Sequence, residues 1–170
     1  NAGLCLLIIW LPRLFNMLSL LTEDGSDLKD TEARVKAIFI LQRLVTDEPQ
    51  EYKEQELAFN RILTGCPFQV PLPKTLKLAD YEIMTIESMI IGIKNNCEKF
   101  KNISAKGFQL NFIERPGRLE QREDKWVLYV EGRSYDMLLD FLPWSYRLVQ
   151  LPWLEKRIKV VWRDKGEFDF

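Results

Sequence analysis

The chain has 170 residues, 46% apolar and 29% charged, which is enough for one globular domain with a real core. Its 24 basic and 25 acidic side chains leave a net charge of −1, a balance that argues against a nucleic-acid-binding domain. There is no histidine, so the commonest general base and transition-metal ligand is missing. The three cysteines (Cys5, Cys66, Cys97) are odd in number and far apart, which suits buried apolar roles in a reducing cytoplasm better than a disulfide framework or a zinc site.

The chain opens on Asn1 with an apolar run from Ala2 to Pro12, too short to span a membrane. No basic start precedes it and no small-residue cleavage site follows, so Asn1 reads as the first ordered residue of a longer protein. Residues 1–170 are expected to form a single domain, the C-terminal part of that longer chain. Leu4 to Leu21 has apolar residues at helical spacing with no polar side, which predicts a helix buried all round and kinked or split at Pro12. An acidic loop, Thr22 to Asp30, follows. Asp30 or Thr31 caps a second helix that runs to Asp47. Pro49 starts a third, closed by Gly65. Cys66 to Lys77, with Pro67, Pro71 and Pro73, has no helical period and reads as an extended surface connector. Asp80 caps the longest helix, Tyr81 to Phe100, with Ile83, Ile86, Ile90, Ile93, Cys97 and Phe100 inward. Ser104 caps a fifth through Ile113, stopped at Pro116-Gly117.

From there the period changes to two. Arg118 to Glu123 and Trp126 to Glu131 predict a hairpin, with Trp126, Leu128 and Val130 on one side and Val127 and Tyr129 on the other. Tyr135 to Phe141 reads as a two-turn helix, Tyr146 to Gln150 as a third strand and Arg157 to Arg163 as a fourth. The fold class is α+β: about five helices in a mostly helical stretch 1–114, then a small antiparallel four-strand sheet in 115–163 with one short helix inserted. The stretch Tyr135 to Trp153 is distinctive because it repeats Leu-Pro-Trp, at Leu142-Pro143-Trp144 and Leu151-Pro152-Trp153. Each proline stiffens its corner, and each tryptophan adds a large apolar surface with one N–H donor.

Few constellations suggest chemistry. Asp136 and Asp140 lie one helical turn apart, as a pair for acid–base work or a hard cation would, or as a solvated face near a helix start. Arg115 and Arg118 flank a turn that can hold an anion or sit in ion pairs, but Gly117 lacks the other residues of a phosphate loop. Ser104 and Ser134 read as helix caps, and Cys97 as a core residue. No catalytic residue, metal ligand or cofactor is expected. The aromatics of the strand half are either core or a docking face, since tryptophan is enriched at interface hot spots. The protein-interface candidates are Trp126, Tyr135, Trp144, Tyr146, Trp153 and Trp162.

The residues from Asn102-Ile103-Ser104 to Trp162 carry a resemblance. They include Phe112 to Leu119 (FIERPGRL), Trp126 to Glu131, Tyr135-Asp136, Leu138-Leu139-Asp140, both Leu-Pro-Trp copies and Val160-Val161-Trp162. Asn1-Ala2-Gly3-Leu4, Leu11 to Phe15 and Gly65-Cys66 extend it over nearly the whole chain. The chain resembles the C-terminal conserved region of tape measure proteins from contractile injection systems, the phage-tail-like particles of bacteria. Arg115-Pro116 departs from the more usual pair before that glycine. The resemblance implies a structural, non-enzymatic docking domain of a protein that sets inner-tube length, held at the tube end or hub. Its implied partners are inner-tube, tube-terminator and hub or baseplate proteins, with multiple copies around the tube axis and no nucleic acid or direct membrane span. The implied place is the bacterial cytoplasm during assembly, then the particle. The alternatives are an adaptor binding a cap or effector protein of the same particle, and a hydrolase built on Asp136 and Asp140.

Overall fold

A computed structural model describes residues 1–48 and 50–163. The helical elements come first and a four-strand sheet last, so the chain is α+β as expected.

The opening apolar stretch is split in two beside Pro12 and not kinked, one of the two outcomes expected. Ala2–Trp10 winds as a 3-10 helix, and Leu11–Met17 continues as α1. Pro12 falls in the first turn of α1, where a missing N–H breaks no intrahelical bond, so it starts a helix instead of bending one. The burial expected all round holds only for the first half: every residue from Ala2 to Ile8 is inside, but Ile9, Arg13, Asn16 and Met17 are exposed. Gly3 shows how close the packing is. A Cβ there would lie 1.9 Å from the Phe112 carbonyl oxygen and 2.6 Å from the Ile113 Cα. Only hydrogen fits.

The second helix, α2, spans Thr31–Val45 and buries Ala37, Ile38, Leu41 and Leu44. Asp30 caps it by accepting the Ala33 N–H at 2.7 Å. The third, α3, is only Ala58–Leu63, and its expected start at Pro49 lies outside the described residues. Gly65, at φ 63°, closes it as expected. The connector from Cys66 to Lys77 has neither helix nor strand. Buried Arg61 fixes its path by donating to the Pro67 and Val70 carbonyls at 2.7 and 2.8 Å.

Helix α4, Asp80–Asn95, stops short of the expected Phe100. Its N-cap is Ala79 instead of Asp80, because Glu82 reaches back to accept the Ala79 N–H at 2.8 Å. Lys36 pairs with buried Glu82 and ties α4 to α2. Ser104 caps α5, Ala105–Phe108, by accepting the Gly107 N–H at 3.0 Å. The chain then widens into a π turn, Gln109–Ile113, where it meets Gly3. The helical elements before the sheet outnumber the five expected, since the first and the fifth each divide in two.

Strands β1 (Gly117–Gln121), β2 (Lys125–Val130), β3 (Leu148–Val149) and β4 (Arg157–Val161) form a sheet in the order β1-β2-β4-β3. The β1–β2 hairpin is antiparallel, but β4 runs parallel to β2, so the sheet is mixed and not purely antiparallel. A parallel pair needs a long crossover, and residues 131–156 supply it. That crossover holds the short helix expected over Tyr135 to Phe141, wound as a 3-10 helix over Ser134–Phe141, and a two-residue β3 in place of the strand expected over Tyr146 to Gln150. Leu128, Val130, Ile158 and Val160 face the main core, and Val127 and Val161 on the other side are buried too.

Candidate docking surface

The charged centre of the fold is an ion pair with no exposure to water. Arg115, just before β1, and Asp136, in the 3-10 helix Ser134–Phe141, are joined by two hydrogen bonds, one from Nη1 at 3.1 Å and a shorter one from Nη2. Arg115 also donates to the Asn111 carbonyl at 2.7 Å and the Glu131 carbonyl at 2.8 Å. Asp136 accepts the Arg133 N–H at 2.8 Å and the Trp162 indole N–H at 2.9 Å. The guanidinium lies against three rings, 5.2 Å from the centroid of Trp162, 5.4 Å from Tyr135 and 5.9 Å from Phe112. Every donor and acceptor that matters is used, which is the condition for holding charge in a core.

Burial alone would push the Asp136 carboxyl up, but the hydrogen bonds from Arg115, Arg133 and Trp162 outweigh it and hold the group below the ordinary range. Burial likewise opposes ionisation of Glu82, and Lys36 with the Ala79 N–H again brings the net shift down. A carboxyl that titrates lower folded than unfolded stabilises above its unfolded pKa of about 4 and loses that contribution as pH falls through the folded value. The melting temperature should therefore stay level from neutral pH to about 5 and fall below about 4. Asp136→Asn should melt lower at neutral pH and lose less on acidification. Thermal melts across pH check this, and equal acid losses in parent and variant would remove Asp136 from the account.

Asp136 and Asp140 do not act as a pair. Asp140 is exposed and bound to Arg163, while Asp136 is enclosed with Arg115 and is no part of a solvated face. Ser134 begins its 3-10 helix, but the position before it, Arg133, is the cap. Cys97 is buried as expected. Among the described residues no group of three or more cysteines and carboxylates is placed to hold a metal ion.

The two Leu-Pro-Trp corners hold opposite parts of the domain. Trp144 donates to the Leu6 carbonyl at 2.9 Å and meets Trp10 edge-on at 4.3 Å, which fixes the corner on the 3-10 helix Ala2–Trp10. Trp153 donates to the Leu63 carbonyl at 2.9 Å and packs on Phe15 at 5.6 Å, joining the sheet side to α3 and α1. Tyr146, Trp153 and Trp162 lie in the core, with Tyr146 edge-on to Trp162 at 5.6 Å. Trp126, Tyr135 and Trp144 are half-buried. Trp144 and Tyr146 border one small hollow, and a larger open surface brings together Trp126 and Trp153. They line a groove of about 800 Å³ with Pro67, Phe68, Pro152 and Leu154. Phe68 is 57% exposed and its ring lies 5.6 Å from the Arg61 guanidinium carbon. Asp27, Arg34, Glu155 and Lys156 form a rim of both signs.

The opening segment of the chain packs beside the ion pair. The Ala2 N–H bonds the Arg115 carbonyl at 2.9 Å, and a Cβ on Gly117 would come within 2.5 Å of the Ala2 Cβ. Glycine is needed where these segments touch. The family model for the contractile injection system tape measure protein matches residues 1–162. The chain belongs to that family. No curated protein and no solved structure matches it. No helix among the described residues is long and apolar enough to cross a membrane.

Sequence reasoning on this tape measure family member missed two features. Phe68 sits in a proline-rich stretch without a period, so nothing local marked it as one wall of a groove. The second is a buried amide cluster. The Asn1 side chain donates to the Gln42 side chain at 2.6 Å and the Asn60 side chain at 2.9 Å, and Asn60 donates to the Ile38 carbonyl at 3.1 Å. Gln42 and Asn60 sit on the inward faces of their helices, the one available signal.

Proposed function

We propose that the chain is a structural docking domain of a tape measure protein that sets inner-tube length, anchoring that protein at the tube end or hub. The groove beside the second Leu-Pro-Trp corner carries the reading. Its floor is rigid because Trp153 is bonded to the Leu63 carbonyl and prolines stand on both sides. Phe68 and Trp126 project apolar surface from that floor. A preformed aromatic wall loses little entropy when a partner covers it, and such anchors dominate interface energies. The rim charges of both signs suit a protein partner and the setting of its register, not a nucleic acid. Docking of this kind needs no cofactor. In this reading the domain meets inner-tube, tube-terminator or hub proteins during assembly in the bacterial cytoplasm and stays with the particle.

A double variant, Phe68→Ala with Trp126→Ala, tests it. Both side chains are partly exposed, so the domain should keep its fold and lose at least about 2 kcal/mol of binding, the loss expected of hot-spot anchors. The measurement is incorporation into assembling particles, with circular dichroism as the control for folding. Incorporation equal to the parent's would show that the groove is not the docking face. Cross-links running to cap or effector proteins instead of tube or hub would transfer the role to an adaptor.

A further inference from the structure

We propose that the groove beside the second Leu-Pro-Trp corner takes up an extended, proline-rich segment of the partner protein, with a basic residue of that segment at Glu155. This names the partner's chemistry and rests on the docking reading of the same groove. The polar groups of the groove divide into those already engaged and those left open. Trp153 gives its indole N–H to the Leu63 carbonyl, Arg34 pairs with Asp27 at 2.6 Å, and Lys156 donates to the Arg122 carbonyl at 3.3 Å. Half-buried Trp126, exposed Gln121 and exposed Glu155 line the groove as well. Among the described residues, the indole N–H, the amide and the carboxylate of these three have no partner. They are also neighbours. Gln121 and Trp126 stand opposite each other in the β1–β2 register, so their side chains leave the sheet on one face. Arg157, two residues after Glu155, pairs with Lys125 beside Trp126, which sets Glu155 at the same end of the sheet.

The open groups select the ligand. Trp126 and Gln121 offer N–H donors next to the Trp153 and Phe68 rings, and Pro67 and Pro152 add apolar surface without any N–H. The Pro67 carbonyl is already taken by Arg61 at 2.7 Å. A helix keeps its carbonyls for its own bonds and has none to give these donors. A strand brings N–H groups as well as carbonyls, and each N–H buried here without an acceptor costs about 1–3 kcal/mol. A proline-rich segment presents carbonyls alone and stacks its rings on aromatic faces. It is also extended before it binds, so little entropy is lost. Glu155 is the one charge among those named that carries no ion pair, and it complements a lysine or arginine beside the prolines.

The probe is a synthetic peptide of about six prolines, roughly 19 Å long when extended, ended by a lysine. It is titrated into the isotope-labelled 170-residue chain, whose five indole N–H signals can be followed one by one. The signal that disappears in Trp126→Phe should move, with half-saturation in the micromolar range. The signals of Trp144 and Trp162, bonded inside the protein, should stay in place. Trp126→Phe keeps a ring and loses the donor, so it should melt like the parent and bind the peptide about fivefold more weakly. Glu155→Lys should weaken the lysine-ended peptide and favour a glutamate-ended one, and no change between the two would overturn the role given to Glu155. An alanine peptide that binds as well as the proline peptide, or indole signals that stay fixed up to millimolar peptide, would overturn the proposal. If particles then still exclude the Phe68→Ala, Trp126→Ala double variant, the groove docks a partner of other chemistry and only this inference fails. Normal incorporation of that variant would remove the docking reading as well.

Discussion

Arg115→Ala should cost about 3–5 kcal/mol of folding stability, a large share of the roughly 5–15 kcal/mol that holds a typical domain together. The substitution leaves the Asp136 carboxylate enclosed without its cation and frees the Asn111 and Glu131 carbonyls together. It also opens a space between the Phe112, Tyr135 and Trp162 rings. Asp136→Ala should cost a similar amount, since the guanidinium would then be the unpaired charge. Removing both charges with side chains of similar volume, as in Arg115→Met with Asp136→Leu, should cost far less than the two single losses added. An apolar pair incurs no desolvation penalty for a buried charge. Urea denaturation of the parent, Arg115→Met, Asp136→Leu and the two combined gives this cycle. Purely additive losses would mean that the two residues do not act as a unit.

The second large effect is expected at Trp153. Trp153→Ala removes a buried indole that packs on Phe15 and leaves the Leu63 carbonyl, at the end of α3, without its donor. The combined loss should be about 3–5 kcal/mol. Trp153→Phe keeps most of the packing and should recover all but about 1 kcal/mol, the share of the hydrogen bond. Trp144→Ala should be milder, because Trp144 is half-buried and part of its surface is already in water. Chemical denaturation of the three variants checks the ranking. Equal losses at Trp144 and Trp153 would show that the two corners are energetically alike.

These two sites also show what was legible in advance. The Leu-Pro-Trp corners could be found because proline restricts backbone within one or two residues, a property that survives any tertiary context. Asp30 and Ser104 were legible as caps for the same reason, since a cap is satisfied within three residues. The end of α4, by contrast, was set too late. Cys97 and Phe100 continue the apolar spacing, and they are buried from turns beyond the helix instead of from its face. Arg115 was readable as a turn residue with a choice of partners. Which partner it takes depends on a residue 21 positions away in a different element.

The sequence by itself determined the α+β order, the alternation along β2, the stiff corners and the family, all of which rest on local period, local sterics or motif. The tertiary structure alone decided that β4 lies parallel to β2, because strand order depends on how the crossover from 131 to 156 returns and no local period records that. It also decided that the opening segment is a buried 3-10 helix pressed on the π turn, where Gly3 allows two backbones to touch. The same packing placed Arg115 and Asp136 out of water, and a charge belongs there only when the whole fold supplies its partners.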